Sequence, residues 1–128
     1  MAIIFGMLAT FKKIVCLRAI MAKISIALLE PTASPLTRRV GFDFKVKAQV
    51  EAIGLSKVTV DIKFNKKCFS LVDSQESISL QPKHPQDTNV YILNWTIKPL
   101  ENSKESTIVI YAKGDSLLQA ASFVVRVV

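Results

Sequence analysis

The side chains that usually carry chemistry are scarce: 128 residues hold one histidine, His84, and two cysteines, Cys16 and Cys68. Two cysteines exclude a disulfide framework, and a single histidine leaves too few ligands for a histidine-rich metal site. Zinc asks for four ligands, and Cys16, Cys68 and His84 have no short-range pairing. A hydrolytic triad needs a base beside a nucleophile, yet His84 lies between two prolines in Pro82–Lys83–His84–Pro85, where the composition is that of a solvated loop. The four glycines, Gly6, Gly41, Gly54 and Gly114, stand singly, so there is no glycine-rich loop to cradle a phosphate. No catalytic residue, metal or cofactor is expected. Apolar runs also stop short of the roughly 18 residues of a bilayer-spanning helix. With four glycines, five prolines and 21% charged residues, collagen, low-complexity and disordered classes fit poorly. One packed domain is expected at this length.

Acid is missing from residues 1–29 altogether, and this asymmetry divides the chain. Residues 1–42 carry six basic side chains (Lys12, Lys13, Arg18, Lys23, Arg38, Arg39) against Glu30 alone, whereas residues 43–128 carry eleven against nine acids. Most of the net charge of +7 therefore sits in the first third. There, apolar runs alternate with lysine and arginine, and the bases fall on no single helical face. A secretory signal places its charges before the apolar core, the reverse of the order here. Residues 1–21 read as an apolar and basic extension: an anchor, a poor signal segment, or text before a start at Met21. Residues 22–128 read as the domain. A membrane partner, reached through residues 1–29, is one expectation.

From Val40 to Ala52 every second residue is apolar, with Phe42, Phe44, Val46, Ala48 and Val50 on one face and Asp43, Lys45, Lys47, Gln49 and Glu51 on the other. Period two over that length predicts a half-buried strand. The alternation resumes in Val58, Val60, Ile62 and Phe64 after Gly54–Leu55. Cys68–Val72 is a short apolar piece, Ile78–Leu80 a brief strand, and Pro82–Asn89 a loop. Val90–Ile97 is apolar on both faces, which suggests burial on both sides or a central place in a sheet. Glu101–Glu105 is a charged connection, Ser106–Ala112 a strand, Lys113–Gly114–Asp115 a turn and Leu117–Val128 a closing strand. Lys113–Gly114–Asp115 is close to an adhesion tripeptide, but Gly-Asp is ordinary hairpin chemistry. With Lys23–Leu29, about seven strands occur at the spacing of a β-sandwich. The core is expected to hold the even positions from Phe42 to Val50 with Val58, Val60, Ile62, Leu93, Trp95 and Ile110. Cys68 is expected to be buried as a small hydrophobe. Asn94–Trp95–Thr96 matches a glycosylation sequon but falls inside a strand.

Gly54–Leu55 after a long alternating strand, Ser77–Leu80, a proline-containing loop, Trp95–Pro99 and a β-branched strand near the C-terminus together resemble immunoglobulin-like sandwich modules of the CARDB and NEW3 kind. The resemblance covers roughly residues 22–128 and rests on spacing and hydrophobic pattern. It implies an all-β, antiparallel, immunoglobulin-like sandwich in which the strand after Gly54–Leu55 crosses to the other sheet. It also implies a non-catalytic accessory or adhesion-type role of the cell-surface or membrane-associated kind. The surface most open to a partner is read as Lys45, Lys47, Lys63, Lys66, Lys67, Lys83 and His84, the first three on the polar face of the alternating strands. Loops Gln81–Asn89 and Glu101–Glu105 are further contact regions. A protein partner is expected. Nucleic acid is the weaker reading, because Asp43, Glu51 and Asp61 interrupt the lysines and the phenylalanines sit on the apolar face rather than offering stacking platforms.

Overall fold

Strict alternation makes a strand with one greasy side, and such strands are stable only when two sheets close on each other. The computed structural model describes residues 21–128 and contains nine strands: β1 (Lys23–Glu30), β2 (Leu36–Arg38), β3 (Phe44–Ile53), β4 (Val58–Lys63), β5 (Phe69–Val72), β6 (Ser77–Leu80), β7 (Asn89–Pro99), β8 (Ser103–Gly114) and β9 (Leu117–Val127). The first sheet has the order β1-β3-β7-β5 and the second β2-β9-β8-β4-β6. The chain changes sheet at every connection except the last, so β8 and β9 form the one hairpin among the described residues. The crossing after Gly54–Leu55 is thereby present: β3 pairs with β1 and β7, while β4 pairs with β6 and β8.

Two strands exceed the seven expected. The Cys68–Val72 piece contains β5, and Leu36–Arg38 is a three-residue strand that lies parallel to Val125–Val127, so the sandwich is not purely antiparallel. Its brevity hides β2 from periodicity, which needs several turns of the pattern to register. The extension proposed for residues 1–21 lies outside the described residues except for Met21.

Side chains from both inner faces meet in one apolar layer built from Phe44, Val46, Val50, Val58, Val60, Ile62, Phe69, Trp95, Ile97, Ile108, Ile110, Phe123 and Val125. Cys68 is buried beside it. Phe69 takes Phe44 and Phe64 edge to face, with ring centroids 6.3 and 6.0 Å away. Trp95 is buried and its indole N–H donates to the Gln75 carbonyl at 3.2 Å, which supplies the polar partner a buried indole needs. Among the described residues no polar or charged side chain is buried.

Three expectations about this core need correction. The strand begins at Phe44 rather than Val40, and Phe42 is 64% exposed instead of buried. The cause is Gly41: at φ +85° it turns the chain, and the Phe42 amide bonds back to the Arg39 carbonyl, so the apparent alternation runs through a turn. Leu93 is half-buried, packed at the margin of the core. β7 does occupy a central place, but its outer face is open, with Val90 and Ile92 exposed.

Two connections are shifted as well. β8 starts at Ser103, inside the segment read as a charged connection, with a register irregularity between Ser103 and Ser106. The hairpin turn is Asp115–Ser116, with Asp115 in the left-handed region at φ 51°. Gly114 instead ends β8 facing inward, where an added Cβ would come within 2.6 Å of Leu55.

Candidate interaction surfaces

The lysines read as one polar face are divided by the crossing. Lys45 and Lys47 alternate with the buried Phe44, Val46 and Ala48 on β3, so they point outward from the first sheet. Lys63 follows the buried Ile62 on β4 and points outward from the second sheet, on the opposite side of the sandwich. Two sheets packed face to face lie about 10 Å apart before side chains are added, so these lysines cannot track one phosphate chain together. Lys63 joins Lys66 instead, and both reach Glu76, each at 3.4 Å. Lys66, and then Lys63, hold the Glu76 carboxyl below its ordinary range. Lys67 is in the same turn, where its amide donates to Asn65 Oδ1.

Lys83 and His84 are exposed in the loop between β6 and β7. The group of His84 that is in use is its carbonyl, which accepts from the Asp87 amide and from Asn89 Nδ2. This loop is fastened to the β3–β4 turn by the Gly54 amide, which donates to the Pro85 carbonyl at 2.6 Å. The predicted site residues therefore fall in three places: the outer face of β3, the β4–β5 turn with Lys63, and the β6–β7 loop.

Loops Gln81–Asn89 and Glu101–Glu105 lie at opposite ends of the molecule, because β7 runs the length of the sandwich between them. The register places Ala52 beside Asn89 and Phe44 beside Ile97. At the Glu101 end, sequence reasoning missed an apolar tip. Phe42, Val40 (38% exposed) and Leu100 (44% exposed) lie on the segments that meet at this end. Backbone bonds hold the segments in place: Gly41 to the Pro99 carbonyl, Val40 to the Val128 carbonyl, and Leu100 to the Cys68 carbonyl. Arg39 and Lys67 flank this tip in sequence and in the adjoining turn, while Cys68 Sγ lies 3.9 Å from Glu101 Oε1. The single signal available was Gly41, a turn residue inside an otherwise unbroken alternation.

At the other end of the sandwich a side groove of about 500 Å3 opens between β1 and β9, lined by Ile24, Glu51, Ala52, Thr88, Leu117 and Gln119. No group of three or more histidine, cysteine, aspartate or glutamate side chains suited to a metal occurs among the described residues. No helix among them is long and apolar enough to cross a membrane.

No protein-family model matches the chain, and no curated protein matches it. Solved structures do. The CARDB domain of a Pyrococcus furiosus protein, crystallised in complex with di-metal ions, is 14% identical at a TM-score of 0.56 over 84% of this chain and 94% of its own. Escherichia coli alpha-2-macroglobulin, in a structure spanning domain MG7 to the C-terminus, is 14% identical at a TM-score of 0.54, over 86% of this chain and 17% of its own. A chimeric titin Z1Z2 is 9% identical at 0.50, over 84% of this chain and 97% of its own. At such identities the likeness is one of fold, and the fold is that of a CARDB-like, immunoglobulin-like β-sandwich module.

Proposed function

We propose that the chain is a non-catalytic interaction or structural module that meets a protein partner in a cell-surface or other macromolecular assembly. The observation that carries this reading is the apolar tip. A large aromatic, Phe42, is turned out to solvent after the left-handed Gly41, at the same end of the sandwich as the exposed Val40 and Leu100, and it is not among the buried core residues. Exposed apolar patches, and aromatic residues within them, are enriched where proteins dock. The arrangement suits a partner with an apolar pocket and an acidic rim for Arg39 and Lys67. Lys45, Lys47, Lys63, Lys66, Lys67, Lys83 and His84 lie outside the tip or at its border, and in this reading they solubilise the faces and discourage edge association.

The test is in-cell crosslinking followed by mass spectrometry, comparing the native chain with Phe42→Ser/Leu100→Ser and with His84→Ala. The expected outcome is a discrete crosslinked partner that is lost in the double variant and kept in the histidine variant. A crosslinking pattern indifferent to the tip would sink the reading.

In the membrane-tethered version, the anchor is confined to residues 1–20, since Lys23–Glu30 is built into the first sheet as β1. β1 starts at the end that carries the β6–β7 loop, so a tether there leaves the Phe42 tip pointing away from the lipid. Nucleic acid makes a separate forecast: each phosphate contact adds about 0.9 to the slope of log affinity against log salt. A steep slope, reduced by changing Lys45 and Lys47 on the outer face of β3, or Lys63, Lys66 and Lys67 on the other side, would favour it over the protein reading.

A further inference from the structure

We propose that β1 also joins two copies of this chain, pairing antiparallel with β1 of a second copy so that two first sheets become one continuous eight-stranded sheet. This deepens the reading of an interaction module, and the partner it names is the chain itself.

β1 is the terminal strand of the first sheet, with β3 on one side and no strand on the other among the described residues. An unpaired edge presents a row of unused N–H and C=O groups, and proteins normally blunt such edges with shortness, proline, bulges or charge. β5 and β6 are blunted by being four residues long. β1 has eight residues, and between Lys23 and Glu30 the run Ile24–Leu29 contains neither charge nor proline. Its bulge comes only at Leu28/Glu30, at the far end. Ile26 and Leu28 reach the core but stay half-buried, and Leu29 is exposed, so this edge leaves apolar surface for a neighbouring strand to cover.

The choice of occupant follows from symmetry and charge. A two-fold interface needs a surface that complements itself. In an antiparallel pairing about Ile26, Ile24 faces the second Leu28, Ser25 faces the second Ala27, and Lys23 arrives beside the second copy's Leu29 and Glu30. Opposite charges then meet at both ends, whereas a parallel pairing would set lysine on lysine and glutamate on glutamate. The uncovered part of β9 is also uncharged, Leu117 to Phe123, but it carries no charge pair to specify an orientation.

The test is sedimentation velocity of the full chain over a concentration series, with hydrogen exchange of the Lys23–Leu28 amides. The expected result is a reversible dimer in which those amides exchange more slowly as concentration rises. Ala27→Lys changes an exposed residue on the outer face, so it leaves the fold intact by circular dichroism while setting two lysines on neighbouring positions across the axis. It is expected to weaken the dimer by about tenfold or more. Lys23→Glu is expected to weaken it as well, and Lys23→Glu with Glu30→Lys to restore it. A chain that stays monomeric at its highest soluble concentration overturns the proposal, as does a dimer indifferent to Ala27→Lys and to the charge variants. A monomer whose tip still binds a partner would leave the interaction-module reading standing. Substrate turnover by the purified chain would remove that reading whatever the oligomeric state.

Discussion

Phe42 and Phe44 are two residues apart and share an alternation, yet one is 64% exposed and the other 6%. Phe44 packs edge to face on Phe69 and lies under the Arg38 guanidinium, 6.0 Å from its ring centroid. Phe44→Ala is expected to cost about 3–5 kcal/mol, the range for truncating a core aromatic. Phe42→Ala, which removes a largely exposed ring that lies outside the core, is expected to change stability by less than about 0.5 kcal/mol. Urea unfolding of both variants checks the pair. Equal losses would mean that the turn at Gly41 does not take Phe42 out of the core. At this scale the residue type was a poor guide: both are phenylalanines in the same pattern, and the difference comes from the backbone sign at one glycine.

Elements are held to one another by short polar links at the points where the chain changes sheet. Between β5 and β6, the Ser74 hydroxyl donates to the Val72 carbonyl and receives the Thr96 amide from the first sheet, while the Glu76 carbonyl receives the Ile62 amide from the second. The Glu76 side chain adds an exposed link to Lys63 at the end of β4 and to Lys66 in the next turn. Its carboxyl titrates below its ordinary value because of Lys66 first and Lys63 second. A carboxylate with a lowered folded value stabilises the fold above its unfolded value, and that contribution is lost as pH falls through the folded value. Glu76→Gln is therefore expected to lower the thermal midpoint slightly at neutral pH, with the difference vanishing as pH falls through the lowered folded value and the carboxylate becomes protonated in both states. Added salt should shrink the neutral-pH difference, since the pair is open to solvent. A difference that persists in strong acid would show that the link acts through packing instead.

For the whole molecule, the described residues close a two-layer apolar core from β1 to β9. A chain starting at Met21 is expected to unfold in one cooperative transition at the midpoint of the full chain, measured by differential scanning calorimetry. A broad, non-cooperative melt of the shorter chain would mean that the first twenty residues are part of the fold. Because nearly every connection crosses between sheets, the native pairings join segments distant in sequence. Such topologies pay loop-closure entropy before contacts form and fold slowly for their size.

What the sequence by itself determined is the all-β class, the faces of β3 from Phe44 onward and of β4, and the burial of Trp95 and Cys68. Period two is a local property of the backbone, and it sorts side chains to two faces whatever the strand later pairs with. The tertiary structure alone decided which sheet each strand entered, and with it the fate of the surface. Lys45 and Lys63 have the same local pattern in a hairpin and in a crossing, yet only the long-range packing of β3 on β7 and of β4 on β8 sends them to opposite sides. The apolar tip and the open edge of β1 were equally beyond a local pattern, because one depends on a left-handed glycine and the other on which strands arrive as neighbours.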